Sequence, residues 1–193
     1  MFANIYKNKK VLVTGHTGFK GSWLCKWLLK LEANVVGISK DIPTNPSIFK
    51  ESSMSNEVES YFQDLSDMKS FKSLFNEIKP DYVFHLAAQP IVISSYKDPV
   101  NTIQSNAIGT LSVLEALRNY TLNCVAVLIT SDKVYDNVEM EAGYTEKDII
   151  GGKDIYSASK GAAELLIRGY FESFLKDSKN LRIGIARAGN VIG

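Results

Sequence analysis

The chain has 193 residues with a formal net charge of +1, and 45% of them are hydrophobic and 22% charged. This length fits one soluble domain with a substantial core, and the near-neutral charge gives no electrostatic argument for nucleic acid or an anionic membrane as a partner. The two histidines have no clustered carboxylates beside them, which argues against a metal site.

The first strong pattern is an apolar run, Val11–Val13, that leads into three glycines, Gly15, Gly18 and Gly21. The run predicts a buried parallel strand, because it is apolar without alternation. Ser22–Leu31 then predicts a helix. Its expected inner face carries the large apolar residues Trp23, Leu24, Trp27, Leu28 and Leu31.

Strand, glycine loop and helix in this order predict a dinucleotide-binding loop. Gly15 would allow the tight turn, Gly18 the approach of a pyrophosphate, and Gly21 close packing of the helix on the strand. The predicted cofactor contacts of the loop also include His16, Thr17, Phe19 and Lys20. The alternative is a plain strand-to-helix turn.

Further apolar runs alternate with longer amphipathic segments. They predict five more strands, Asn34–Ile38, Val58–Phe62, Asp81–Leu86, Val125–Thr130 and Leu181–Ala186. They predict three more helices, Ser66–Ile78 with Ser66 as N-cap, Val100–Tyr120 and Asp154–Lys176. The inner face of the helix from Ser66 is expected to carry Phe71, Leu74, Phe75 and Ile78. The polar segment 39–56 reads as a loop.

Strands alternating with helices predict a parallel, doubly wound α/β sheet with helices on both faces. Ligands of such sheets lie outside the carboxyl ends of the strands. The informative residues are therefore those that directly follow a strand.

Tyr156 and Lys160 stand four residues apart on one predicted helix, so a phenol and an ammonium share a face. Tyrosine titrates near ~10, and its use as a base near neutrality needs a pKa lowered by about three units. The Lys160 cation and a bound nicotinamide would supply that shift. The alternative is an ordinary amphipathic helix with a surface tyrosine and lysine.

Thr130–Lys133 leave the end of the fifth predicted strand, beside the expected substrate. Ser131 could donate a hydrogen bond to a substrate oxygen, and Asp132 could act as a general acid. The alternative is a strand end followed by ordinary polar loop residues.

The glycine triplet and the Tyr156/Lys160 pair resemble the extended short-chain dehydrogenase/reductase superfamily, whose fold is of the Rossmann type. Five stretches resemble the nucleotide-sugar 4,6-dehydratases, and among them the CDP-glucose subfamily. These stretches are residues 15–23, 43–47, 86–90, 130–137 and 187–193.

The resemblance implies an internal NAD redox cycle that converts CDP-glucose to CDP-4-keto-6-deoxyglucose and water. Tyr156 would take the proton of the sugar 4-hydroxyl, with Ser131 polarising the 4-oxygen. Asp132 would protonate the departing 6-hydroxyl. Lys160 would bind the nicotinamide ribose and tune Tyr156.

Further contacts follow from the same resemblance. Asp64 and Leu65 would contact the adenine, and Asn190 the substrate. The cofactor would be lined by Leu86, Ala87, Ala88 and Thr130.

Two positions depart from the wider pattern. Lys133 stands where dTDP-sugar dehydratases have a glutamate base, and it could be a base itself or a charged group that stabilises the enolate. After the second strand the sequence reads Ser39-Lys40-Asp41. The acidic residue that commonly binds the adenosine ribose therefore comes slightly later than usual. Lys40 could favour a 2′-phosphate, but NAD is expected because the hydride is recycled.

The whole chain, 1–193, is expected to be one NAD(P)-binding domain and the N-terminal part of a longer enzyme. The alternatives are a nucleotide-sugar epimerase or reductase, or an inactive NAD-binding fragment. A homodimer or higher homo-oligomer is expected through the helices Val100–Tyr120 and Asp154–Lys176. Cys25 and Cys124 lie far apart in apolar surroundings, which predicts reduced core thiols and, without a signal peptide or membrane span, a cytoplasmic location.

Overall fold

A computed structural model describes residues 2–192 as a six-stranded parallel sheet with helices on both faces. The strands are β1 Lys10–Thr14, β2 Asn34–Ser39, β3 Glu59–Phe62, β4 Tyr82–His85, β5 Cys124–Ile129 and β6 Leu181–Ala186. The helices are α1 Phe19–Lys30, α2 Ile48–Glu51, α3 Met68–Ile78, α4 Val92–Lys97, α5 Pro99–Ile103, α6 Gly109–Arg118 and α7 Ile155–Tyr170. Gly193, the last residue of the final quoted stretch, lies outside the described residues.

The strand order is β3-β2-β1-β4-β5-β6, which confirms the doubly wound sheet. Leu12 of β1 is paired with Val36 on one side and Val83 on the other. The order reverses between β1 and β4, and a sheet of this kind opens a crevice at such a point.

Alternate residues of the central strands supply two separate cores. Val11 and Val13 face a cluster with Cys25 and Leu28 of α1, whereas Leu12 faces the larger cluster under α3, α6 and α7. On α3 the rings of Phe71 and Phe75 are fully buried, as the helical spacing predicts. Burying each ring contributes about 1.5–3 kcal/mol.

The prediction for the inner face of α1 was wrong at the two tryptophans. Trp23 is 53% and Trp27 47% exposed, and the buried face carries Gly21, Ser22, Cys25 and Leu28 instead. Small side chains let the helix axis approach the sheet closely, so the large rings lie outside the contact. Trp27 packs edge-on against Phe2.

Several boundaries also differ from the sequence prediction. The cap of α3 is Asp67, which accepts from the backbone N–H of Ser70, and not Ser66. The segment 39–56 contains α2 and a single 3-10 turn, Met54–Asn56. The long helix from Val100 is divided into α5, the π turn Gln104–Ile108 and α6, while α7 continues into a π turn, Phe171–Leu175.

Both cysteines are free and buried. None of the helices within residues 2–192 combines the length and the apolarity needed to cross a bilayer.

Candidate active site

A cleft of about 770 Å³ lies at the carboxyl ends of the strands. This volume is within the ~300–1,000 Å³ typical of ligand sites. Residues that follow all six strands line it, together with Tyr156 and Lys160 of α7. The topology therefore brings together residues that are far apart in sequence.

The glycine loop forms the part of the cleft below the start of α1. Gly15 has a φ of 74°, and a Cβ there would stand 2.7 Å from the backbone nitrogen of Ala87. A Cβ on Gly21 would overlap the carbonyl oxygen of Gly15. A Cβ on Gly18 would have its nearest protein atom at 3.4 Å, the Gly15 oxygen. Gly15 and Gly21 are thus required by the fold. Gly18 instead leaves open space beside the N-terminus of α1, where backbone N–H groups suit an anion.

His16 is the one predicted loop contact that does not line the cleft. Its ring is fully buried beneath the loop, with Nδ1 2.8 Å from Ser39 Oγ and Nε2 3.0 Å from Ser60 Oγ. Burial lowers the pKa of His16 to about 4, so the ring is neutral. The ring occupies space that a Cβ on Gly37 would fill. The structure therefore gives the His16 ring a packing position beneath the loop, outside the lining of the cleft.

Tyr156, Lys160 and the residues after β5 line one end of the cleft. Ser131 Oγ donates to a carboxylate oxygen of Asp132 at 3.0 Å and accepts from the backbone N–H of Lys133 at 3.2 Å. The backbone N–H of Asp132 donates to Ala188 O at 3.1 Å, so the Asp132 loop is tied to the segment that carries Asn190. Ser131 is buried, while Asp132 and Lys133 are exposed to the cleft.

The charges around Tyr156 differ from the sequence expectation. Burial raises the pKa of the phenol, the nearby Ser131 hydroxyl acts against that rise, and the charges of Asp132 and Asp154 add to it. Burial and the nearby Lys20 charge lower the pKa of Lys160 to about 8. For the protein residues alone the Tyr156 pKa is therefore raised, because burial outweighs the effect of the Ser131 hydroxyl, and the lowering expected with a bound nicotinamide stays a prediction.

The opposite end of the cleft holds Asp64 and Leu65 after β3 and Lys40 after β2. Lys40 Nζ lies 2.8 Å from one carboxylate oxygen of Asp64. The other carboxylate oxygen accepts hydrogen bonds from the backbone N–H and the hydroxyl of Ser66. Burial favours a higher pKa for Asp64, but the Lys40 and Ser66 hydrogen bonds outweigh it and leave the pKa lowered. Asp64 is therefore a fixed carboxylate.

Two groups were missed from the sequence. Gln63 lines the cleft, and its amide nitrogen is buried without a hydrogen-bond partner among the described residues. Its position directly after β3 was the available signal. Glu164, two turns into α7, is buried and accepts from Thr130 Oγ1 at 3.1 Å, from Arg168 at 2.9 Å and from the guanidinium of Arg187. It ties the ends of β5 and β6 together beneath the site.

The remaining predicted contacts also line the cleft, and their binding roles stay predictions. They are Thr17, Phe19, Lys20, Leu86, Ala87, Ala88, Thr130 and Asn190.

A sequence model of the GDP-mannose 4,6-dehydratase family matches residues 12–183. The chain is 43% identical to CDP-glucose 4,6-dehydratase of Salmonella typhimurium over 98% of its own length and 54% of that protein. It is 30% identical to dTDP-D-glucose 4,6-dehydratase of Dictyostelium discoideum, covering 96% of this chain and 44% of the relative. The chain thus spans about half the length of the curated relatives it matches.

Among solved structures, UDP-glucose 4-epimerase of Thermus thermophilus in complex with NAD superposes with a TM-score of 0.78 at 30% identity. The superposition covers 92% of this chain and 54% of the epimerase.

Proposed function

Since the chain belongs to the GDP-mannose 4,6-dehydratase family, we propose that it removes water from a nucleotide sugar, CDP-glucose, as an NAD-dependent hydro-lyase. The product would be CDP-4-keto-6-deoxyglucose. The observation that carries the proposal is the meeting of Ser131, Asp132, Tyr156 and Lys160 in one cleft with the glycine loop. The identity of 43% to a CDP-glucose 4,6-dehydratase supports the choice of sugar nucleotide.

The cleft fits a dinucleotide. Gly18 leaves space at the N-terminus of α1 for a pyrophosphate, Asp64 and Leu65 stand at one end for the adenine, and Lys160 stands at the other for the nicotinamide ribose. Bound NAD⁺ would supply reversible hydride acceptance. Because Lys40 is engaged with Asp64, NAD is preferred over NADP.

Residues of the chain supply the acid and base groups for this reaction. Tyr156 takes the proton of the 4-hydroxyl, while Ser131 donates a hydrogen bond to the same oxygen. The 4-ketone acidifies the hydrogen on carbon 5, and Asp132 protonates the 6-hydroxyl as it leaves as water. Carbon 4 ends oxidised and carbon 6 reduced, so the net change of the substrate is the loss of one water. Lys133 stands beside this chemistry as base or as a cation that stabilises the enolate.

Two further parts of the proposal concern the setting of the enzyme. A cytoplasmic location is supported by the two free thiols. A homo-oligomer is supported by Tyr96 of α4, Val100 of α5 and Leu165 of α7, which are 68%, 65% and 57% exposed. These helices contact one another, and sedimentation analysis of the purified chain would test whether they form an interface.

The test incubates purified protein with NAD⁺ and CDP-glucose and follows the nucleotide sugar by mass and by chromatography. Loss of one water, without net NADH, is the expected result. A new sugar of unchanged mass would indicate an epimerase. An unchanged sugar together with intact NAD⁺ binding would indicate a binding fragment. Tyr156→Phe serves as the inactive control.

A further inference from the structure

A continuous series of buried hydrogen bonds runs beneath the cleft floor. The backbone N–H of Ala87 lies 3.2 Å from Thr14 Oγ1, which lies 2.7 Å from His85 Nδ1. His85 Nε2 lies 3.0 Å from Thr110 Oγ1, which lies 2.7 Å from the carbonyl oxygen of Asn106. The three side chains of the series, Thr14, His85 and Thr110, are between 0% and 4% exposed.

The two ends of this series fix its direction. The Ala87 N–H can only donate, and the Asn106 carbonyl can only accept. The single proton of the Thr110 hydroxyl therefore goes to Asn106, so Thr110 accepts from His85 Nε2–H. Thr14 accepts from Ala87 and gives its own proton to His85 Nδ1. Every donor and acceptor in the series has a hydrogen-bond partner only when the His85 ring is neutral and protonated at Nε2.

The Ala87 end of the series lies against the glycine loop. A Cβ on Gly15 would stand 2.7 Å from the Ala87 nitrogen, so the position of Ala87 and the turn of the loop depend on each other. Both residues line the cleft. The series thus holds the wall of the proposed cofactor site.

The Asn106 end leads to the helix of Tyr156. The Asn106 amide accepts from the backbone N–H of Gln89 at 2.7 Å and donates to Ser159 Oγ at 2.8 Å. Ser159 in turn donates to the backbone carbonyl of Tyr156 at 2.6 Å. One connected set of bonds therefore joins β1, β4, the π turn and α7.

We propose that His85 is a positioning residue that, as the Nε2–H tautomer, holds the Ala87 wall of the cofactor site in a fixed place relative to the Tyr156 helix. Its side chain does not line the cleft. Burial, with the Lys160 charge nearby, lowers the pKa of His85 to about 3, which agrees with a neutral ring. The positioning role rests on the proposed function, whereas the assignment of the His85 tautomer does not depend on it.

The tautomer is directly measurable, because the chain has only two histidines. Protein with ¹⁵N-labelled histidine should show a His85 ring with one protonated nitrogen, Nε2, and one bare nitrogen, Nδ1. The signals of the His16 ring are identified by their absence from the spectrum of the His16→Gln variant. Protonation of His85 at Nδ1 would overturn the proposal.

The positioning role is tested with Thr110→Val, which removes the hydroxyl at nearly constant shape. We expect NAD⁺ affinity to fall by about tenfold, with Thr110→Ser restoring it, since a displaced contact in a preorganised site costs between tenfold and a hundredfold. Ser112→Ala is the matched control. Its hydroxyl is buried on the same helix and also bonds a carbonyl four residues earlier, that of Ile108, outside the series.

Unchanged NAD⁺ affinity in a folded Thr110→Val protein, or an equal loss in Ser112→Ala, would overturn the role of His85. Absence of NAD⁺ binding in the unaltered chain would instead contradict the proposed function, and the positioning role with it. The measured tautomer would still decide the direction of the hydrogen bonds, so the two failures are distinguishable.

Discussion

The ammonium of Lys40 lies 2.8 Å from a carboxylate oxygen of Asp64, so the two charged groups at the proposed adenosine end neutralise each other. Both side chains are about half exposed, and the pair itself contributes only about 0–1 kcal/mol of stability. Its effect is on recognition. A lysine held by Asp64 is not free to bind the 2′-phosphate of NADP.

Asp64→Asn should therefore shift cofactor preference towards NADP⁺. Release of Lys40 provides a cation for the 2′-phosphate, and one charge-assisted contact of ~1.4 kcal/mol corresponds to about tenfold in the ratio of dissociation constants. Calorimetric titration with both dinucleotides measures it. Glu57→Gln removes the partner of Lys26 in a similarly exposed pair, whose charges lie 2.7 Å apart and outside the cleft lining, and should leave the ratio unchanged.

Tyr156→Phe should lower kcat by about 10²–10⁴-fold, the usual size of a general base effect, with little change in NAD⁺ affinity. Because burial raises the pKa of Tyr156 in the free protein, kcat/KM of the unaltered enzyme should rise with pH on the alkaline side, where the phenol loses its proton. The variant should lose this limb of the pH profile. Tyr170→Phe on the same helix, whose hydroxyl bonds Glu115 at 2.7 Å, should retain it.

Local pattern was sufficient for the strands and for most of the cleft residues that follow them, although it missed Gln63, because period and turn chemistry depend on near neighbours. It could not place His16, whose burial depends on the absence of a side chain at Gly37 on the adjacent strand. Helical spacing predicted Trp23 and Trp27 on the inner face of α1, but close packing of α1 on the sheet selects small side chains there. The direction of the Tyr156 pKa shift required the burial of the ring and the placement of Ser131, which only the tertiary structure gives.

Glu164→Gln should destabilise the fold by about 3–5 kcal/mol, because it leaves the Arg187 charge buried without its partner. The Glu164 side chain is 1% and that of Arg187 10% exposed. Urea unfolding measures the loss. Glu172→Gln breaks an exposed pair with Lys176 on the same segment and should cost less than ~1 kcal/mol.

The stability contributed by Glu164 should depend on pH. Burial raises the pKa of its carboxyl, but the hydrogen bonds from Arg187 and Thr130 outweigh burial and leave the folded pKa below the ordinary value. Such a group stabilises the fold above the unfolded pKa, near ~4.3, and the contribution is lost as pH falls through the folded pKa. The difference in unfolding free energy between the unaltered chain and Glu164→Gln should therefore shrink below about pH 4. A constant difference down to about pH 2 would contradict this interpretation.

Asp132→Asn should block the loss of water, because an amide cannot protonate the departing 6-hydroxyl. The mass change of one water should slow by about 10²–10⁴-fold, while NAD⁺ binding is retained. Asp177→Asn alters an exposed carboxylate outside the cleft lining and serves as the control. Full dehydration by Asp132→Asn would assign the acid to another group.

Gly18→Ala and Gly21→Ala should separate binding from folding within one loop. A Cβ at Gly18 has its nearest protein atom at 3.4 Å, whereas a Cβ at Gly21 overlaps the backbone of Gly15. The first variant should keep its unfolding free energy within about 1 kcal/mol and lose NAD⁺ affinity, because the added methyl enters the space kept for the pyrophosphate. The second should lose stability, since α1 must move away from β1. Thermal unfolding and NAD⁺ titration of both proteins provide the comparison, and undiminished NAD⁺ affinity in Gly18→Ala would remove the pyrophosphate from this part of the cleft.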